Sequence, residues 1–571
     1  MRPSSARGVV RRPLGWDLAP VDVLRLVRSD AHPIALIGAW ADGADVISSE
    51  PALVRSPPQS IAEVFDSPCV PGAGAGGPVG HADHARQLRA GLADPAFPGF
   101  GGGWIGYLGF GFGGEVLPVP PAPGGPRQLP AWWFGHYDHV LRRDQSTGEW
   151  FFEALWTAGR DEVLERRFED LSGRPRAPAP SARGYHCGDF LLAPPAAEHK
   201  AAVSRAVEYI RRGDIFQANI CLRLEAGFDG DPLDAFCQAV TVLQPPYAAF
   251  MRVPGGAVAS LSPELFLRRK GRAVLSRPVK GTHRRSPRPR QARRQRAELE
   301  RSAKNRAENV IIVDLMRNDL SRVCAPGSVQ VPRLLRVEPH PGVWHLVSDV
   351  RGTLGAGAGD GDLIRAAFPP GSVTGAPKVR AVEIIHELEA TPREIYTGAV
   401  GYRSPVAGLE LNVAIRTFEF HAGRVWLGSG GGIVADSAAD GEYRECLLKA
   451  GPLISAIGGR LGAEPGLPAA GAGAAAGAMA RPWLRPRPAA GVFTSLLVVD
   501  GAARGLADHV ARLDASARQL FGRDLPGTLR DDLRLSSPIS RPGGCGSRCS
   551  RPAGRCGLSS GSCRLTSRLR K

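Results

Sequence analysis

The chain has 571 residues, 43% of them hydrophobic and 22% charged, which excludes a disordered or collagen-like protein and leaves room for two or three domains. No apolar run approaches the roughly 20 residues that span a bilayer, and the basic start "MRPSSARGVVRRP" lacks the apolar stretch of a secretory signal, so the cytoplasm is the expected location. The net charge of +17 is concentrated at the ends: residues 541–571 carry seven arginines, one lysine and no acid, and residues 1–12 four arginines without an acid. That distribution argues against a nucleic-acid-binding surface.

In chain order, "PVPPAPGGPRQLP" (Pro118 to Pro130) reads as a loop inside an N-terminal region, residues 13–171. "AWWFGHYDHVLRRDQSTGEWFFEALW" follows as strands around a "DQSTGE" turn. Residues 172–184, "SGRPRAPAPSARG", have linker composition. A catalytic domain over 185–459 mixes strand and helix patterns. Within it, "SRPVKGTHRR" sets Lys280 between a proline that fixes the entering chain and a glycine that allows a sharp turn. Lys280 is either a solvated loop cation or a working amine. The cluster "RRSPRPRQARRQR" (Arg284 to Arg296) has two prolines, few apolar residues and no aromatic on which a base would stack, so a solvated loop is predicted.

A helix is predicted from about Ser302 in "SAKNRAENVIIVDLMRNDLSRV", with Glu308, Ile312 and Leu315 on one face. A carboxylate on an apolar stripe needs a partner, either Arg306 or Arg317 in a salt bridge, or a metal ion. "FPPGSVTGAPKVRAVEII" leads glycine-rich backbone into a helix with Pro377 near its first turn. Such an end is an ordinary turn or an anion site. In "DSAADGEYRECLLKAGPL" the Ser437/Asp440 spacing predicts a capped helix start. Glu442 and Glu445 then share a face with Lys449, either solvated or around a hard, oxygen-ligated ion such as Mg²⁺. Residues 460–490 are low-complexity, 491–535 read as a strand, a turn and an amphipathic helix, and 536–571 show neither helix nor strand pattern, as a disordered or frameshifted tail would. Of the ten cysteines, Cys69, Cys187, Cys221, Cys237, Cys324 and Cys446 are isolated, and the four in the tail lack the paired spacing and histidines of a zinc site.

"GDIFQANICLRL", "SLSPELF", "RPVKGT", "SAKNRAENVIIVDLMRND", "HLVS", "FPPGSVTGAPKVRAVEII", "YTGAVGY", "LNVAIRT" and "GSGGGIVADSAADGEYRECLLKA" occur in that order. Together they closely resemble the chorismate-utilising enzyme family, over Gly184 to Gly459 and more weakly toward Pro13. The resemblance implies an α/β fold of the α+β type, with two large, mainly antiparallel sheets packed across one another and helices outside. It also implies a Mg²⁺ cofactor held by Glu308 and Glu445 with Glu442 close by. Lys449 lies near the ring carboxylate, and Tyr396 and Arg416 hold the enolpyruvyl carboxylate. Gly430 and Gly432 supply backbone N–H donors, Ser372 lines the pocket, and His345 stands near the leaving hydroxyl.

Water-adding members of the family carry a lysine where this chain has Gln217; ammonia-using members keep glutamine. Anthranilate-forming members usually have alanine at the position of Lys280, whereas members that aminate ring C4 have lysine. The resemblance therefore implies formation of 4-amino-4-deoxychorismate, a precursor of p-aminobenzoate, with anthranilate formation as the alternative. Lys280 would attack C2, and Glu264 would exchange protons with it and with the departing hydroxyl. A lysine of pKa about 10.4 is neutral in only about one molecule in 2,500 at pH 7, so that role requires its pKa to be lowered. No glutaminase segment is recognisable, so ammonia would come from a separate glutamine amidotransferase subunit. "VISSEP" only faintly resembles the effector pocket of some relatives. "VFTSLLVVDGAARGLADHVARLDASARQLFG" resembles the start of a class IV pyridoxal-phosphate enzyme without its Schiff-base segment, so no activity is expected of it.

Overall fold

Strands rich in branched and aromatic side chains, with period-two burial, dominate the chain; Gln217–Asp229, for example, alternates buried and part-buried positions along its second half. The computed structural model describes residues 9–67, 99–125, 129–155, 160–174, 184–340 and 342–462, together with 492–499, 502–503, 511, 514, 518 and 562–567. The chain divides into two units, Met1–Pro468 and Ala469–Lys571.

The described strands of the first unit form one 14-stranded and one 10-stranded sheet, mostly antiparallel. Six of them build the site: β1 (Gln217–Asp229), β2 (Leu265–Lys270), β3 (Val279–Arg284), β4 (Val343–Thr353), β5 (Thr417–His421) and β6 (Arg424–Ile433). β5, β6 and β1 are consecutive in the larger sheet; β3 and β4 are neighbours at one edge of the smaller, which also holds β2. Ile34, Leu36 and Met251 of the larger sheet share a core with Ile105, Tyr107, Trp133 and Tyr402 of the smaller. Burying each such side chain contributes about 1.5–3 kcal/mol. The N-terminal region enters both sheets: Ile34–Gly38 pairs with Tyr247–Val253, and Gly103–Leu108 with Ala399–Ser404.

Four helices matter for the site: α1 (Pro289–Arg301), α2 (Ala303–Ser321), α3 (Lys378–Leu388) and α4 (Ala439–Ala456). α2 packs Ile312, Val313, Met316 and Leu320 against Phe266, Leu267 and Leu411 of the smaller sheet. α4 packs Tyr443, Cys446, Ala450 and Leu453 against Leu222, Leu224 and Leu427 of the larger. Among the described residues, no helix is long and apolar enough to cross a membrane. The described cysteines, Cys187, Cys221, Cys237, Cys324 and Cys446, are free.

Several local expectations need correction. The Arg284–Arg296 cluster is largely helical, because Pro289 suits the first turn of α1 and the pairs Arg294–Glu298 (3.0 Å) and Arg296–Glu300 (2.9 Å) support its exposed face. α4 starts at Ala439, and Ser437 makes no capping bond; its hydroxyl donates to Glu442 at 2.6 Å instead. Pro377 is the N-cap of α3, next to its first turn as expected. In the second unit, Ser562–Ser567 of the presumed structureless tail forms a strand antiparallel to Val492–Val499. The helix expected beyond that first strand is described only at Ala511, Asp514 and Arg518; most of residues 460–490, 175–183 and 536–571 lie outside the described residues.

Candidate active site

Lys280 lies near the start of β3, where Gly281 has φ +82° and a Cβ there would stand 2.9 Å from Asn305 of α2. Only glycine permits both that backbone conformation and that closeness. The chain is thereby turned so that Lys280 Nζ donates to the Ser372 carbonyl at 2.6 Å. Burial lowers the pKa of Lys280, opposed by the negative charges of Glu308 and Glu264. Glu264 is buried in the link between Tyr247–Ser262 and β2 and accepts the Val279 N–H at 3.2 Å. Burial raises its carboxyl to about 7, against the lowering effects of the Ser372 hydroxyl, Lys280 and the Val279 N–H. Ser372 thus meets the amine through its carbonyl and the acid through its hydroxyl.

His345 on β4 is buried and shares a 3.0 Å hydrogen bond between its Nδ1 and Thr282 Oγ1, two residues along β3 from Lys280. Burial first, then the charges of His340 and Arg416, push it down to about 3, so the imidazole is neutral at neutral pH. Arg416 is part-buried at φ +54°; desolvation lowers its pKa, and among the described residues no carboxylate offsets it. A desolvated guanidinium without an anionic partner is suited to a ligand carboxylate.

β6 runs glycine-rich beside β1, pairing Gly432 with Asn219 and Gly430 with Cys221. A Cβ on Gly432 would stand 2.5 Å from Gln217 Nε2 and 3.6 Å from Glu308 Oε2. Gln217 is buried and its Oε1 has no hydrogen-bond partner among the described residues. The Gly430 carbonyl accepts from Lys449 at 2.9 Å. Tyr396 lies further along that strand face, its ring under Gly428, its hydroxyl at Cys221 and its N–H on Glu419 at 3.2 Å.

Three carboxylates face one another from α2 and α4. Glu308 is buried and raised by desolvation, with Glu445 and Glu442 adding to the rise. Glu308 Oε1 and Glu442 Oε2 are buried and have no hydrogen-bond partner among the described residues. Lys304 stands 3.4 Å from Glu442 and 3.9 Å from Glu308, and Lys449 stands 2.9 Å from Glu445.

A model of the chorismate binding enzyme family matches residues 71–455. The chain belongs to that family. Aminodeoxychorismate synthase component 1 of Escherichia coli (strain K12) is 45% identical over 250 residues, 44% of this chain and 55% of that protein. The chain thus spans about half the length of this relative. Anthranilate synthase component 1 of Streptomyces coelicolor is 37% identical over 361 residues, 60% of this chain and 70% of that protein. The crystal structure of anthranilate synthase component I from Streptococcus pneumoniae TIGR4 matches with a TM-score of 0.56 and 29% identity, covering 63% of this chain and 81% of that one. The two-sheet fold is that of the family.

The side chains present are of the kind a hard cation takes: all three are carboxylates, two of them with a buried oxygen that has no hydrogen-bond partner among the described residues, in mutual repulsion. Among the described residues, however, no group of three or more His, Cys, Asp or Glu side chains lies close enough together to hold a metal ion. Lys304 now supplies part of the positive charge between them. Sequence reading did not anticipate Lys304, although its place four residues before Glu308 on α2 is a legible pairing. Thr282 and His340 were also missed; their roles arise from strand pairing that no local pattern encodes.

Proposed function

We propose that the protein aminates chorismate at ring C4, giving 4-amino-4-deoxychorismate, as the synthase component of a two-component enzyme. The observation that carries this reading is the part-buried Lys280 amine held on the Ser372 carbonyl beside a Glu264 carboxyl poised at about 7. The neutral Lys280 amine adds to C2 as both ring double bonds shift by one position toward C4 and the C4–O bond breaks. Glu264 gives the departing hydroxyl its proton, so water leaves, and the carboxylate then takes the proton of the alkylated amine. Ammonia adds at C4, both double bonds return, Glu264 protonates the departing nitrogen so that Lys280 leaves as the free amine, and the carboxylate takes a proton from the new C4 ammonium. The balance is chorismate plus ammonia giving 4-amino-4-deoxychorismate plus water.

The neutral His345 would hydrogen-bond the 4-oxygen, and Arg416 with Tyr396 would hold the enolpyruvyl carboxylate. Gly430, Gly432 and Gln217 would admit the ring close to β6 and bond its polar edge. Glu308, Glu442 and Glu445 would hold Mg²⁺, which supplies positive charge for the ring carboxylate next to Lys449. Ammonia is assigned to a separate glutamine amidotransferase, in keeping with the two-component naming of the Escherichia coli relative. A second reading, anthranilate formation with loss of pyruvate, is favoured by the longer match to the Streptomyces coelicolor relative. Lys280→Ala separates them. On the first reading it abolishes 4-amino-4-deoxychorismate formation from chorismate and ammonium, followed by mass spectrometry. An unchanged rate would remove Lys280 from the chemistry.

A further inference from the structure

Lys378 opens α3 and is buried, although it takes no part in the chemistry above. Its ammonium donates to the Ala367 carbonyl at 2.5 Å and the Pro369 carbonyl at 2.8 Å, and lies 2.7 Å from Asp319 Oδ2. Two hydrogen-bonded carbonyls and one ion-paired carboxylate occupy the ammonium. The two carbonyls belong to the entry of the loop 368–377, and Lys378 stands at its exit, so the side chain fastens one end of the loop to the other. Between them lies Ser372, whose carbonyl accepts from Lys280 at 2.6 Å. Within the loop, Thr374 Oγ1 donates to the Pro370 carbonyl at 3.2 Å, and Arg393 donates to the Val373 carbonyl at 2.8 Å.

Asp319 is buried on α2, eleven residues after Glu308. Eleven residues is about three helical turns, so the two carboxylates share a face. One end of α2 faces the Lys280 amine with Glu308; the other fixes the loop that carries the acceptor of that amine. A buried ammonium hydrogen-bonded to two carbonyls and ion-paired with a carboxylate holds its place firmly, because removing a partner leaves a buried polar or charged group uncompensated.

We propose that Lys378, paired with Asp319, is a positioning residue that holds the Ser372 carbonyl, and through it the Lys280 amine, in reacting geometry. The proposal rests on the reading of Lys280 as the nucleophile, but its test has a readout independent of turnover. The full chain, as wild type, Lys378→Met and Asp319→Asn, is acetylated briefly under native conditions. Mass spectrometry then compares modification of Lys280 with that of Lys200 and Lys270. Steady-state kcat and KM for chorismate are measured on the same samples.

Lys378→Met is expected to raise the Lys280 ratio at least about threefold and to lower kcat about tenfold or more with KM within about twofold. Asp319→Asn, which keeps the carbonyl bonds of Lys378, should shift both in the same direction by less. General destabilisation would move all three lysines together. A folded Lys378→Met with an unchanged ratio and kcat within about twofold of wild type overturns the proposal. If Lys378→Met does not fold, the same comparison on Asp319→Asn decides it: no change in either quantity is the contrary result. A wild type that makes no 4-amino-4-deoxychorismate refutes the proposed reaction instead, while the labelling ratio still judges the tether.

Discussion

At the scale of single residues, Glu264 and Lys280 are pushed in opposite directions by one cause, the loss of water around them. Desolvation favours the neutral form of each, which raises a carboxyl and lowers an amine. Glu264 rises from 4.5 to about 7. Its protonated form is the one the fold prefers, so its contribution to stability is complete below pH 4.5 and is lost as pH rises through about 7. The difference amounts to about 3 kcal/mol. Glu264→Gln should therefore gain stability relative to wild type on going from pH 5 to pH 8, measured by chemical denaturation at each pH. The same titration removes a general acid. At saturating ammonia, kcat/KM for chorismate should fall as pH rises through about 7. Glu264→Gln should lose on the order of a hundredfold in rate together with that limb of the profile.

At the scale of elements, α2 and α4 bring carboxylates together at an electrostatic cost that a bound cation would relieve. Mg²⁺ should raise the melting temperature, since a ligand at a hundred times its Kd stabilises by about 2.7 kcal/mol. Glu308→Gln should abolish the shift. A Glu308→Gln protein that keeps the full shift would place the ion elsewhere. β6 makes a steric prediction: Gly432→Ala sets a methyl 2.5 Å from Gln217 Nε2, so KM for chorismate should rise about tenfold with stability little changed. The start of α2 was legible, because Ser302 accepts the Asn305 N–H as an N-cap should. The start of α4 was not, because Ser437 spends its hydroxyl on Glu442. The arginine cluster misled because its charge suggested a loop, whereas the glutamates four residues after Arg294 and Arg296 were the stronger signal.

At the scale of the whole molecule, the motifs showed which residues to compare but not how they meet. Lys280, Ser372 and Glu308 are far apart in sequence, and only the pairing of β3 with β4 and the packing of α2 beside them brings the three together. Strand order of this kind follows from the two-sheet topology, in which Gly103–Leu108 lies beside Ala399–Ser404, and no local pattern specifies it. The match to the family ends at residue 455, within the first unit. A protein ending at Pro468 should thus keep chorismate turnover within about twofold of the full chain. It also loses the arginine-rich tail, so any salt-dependent binding of DNA by the full chain should disappear with it.

The most direct test of the central claim is the identity of the product. Wild-type protein is incubated with chorismate, Mg²⁺ and ammonium at about pH 8.5, where more ammonia is free. The products are read by mass spectrometry with a parallel assay for pyruvate. The expected product is 4-amino-4-deoxychorismate with no pyruvate released. Anthranilate with an equal amount of pyruvate would contradict it and show that a lysine at position 280 does not decide which carbon is aminated.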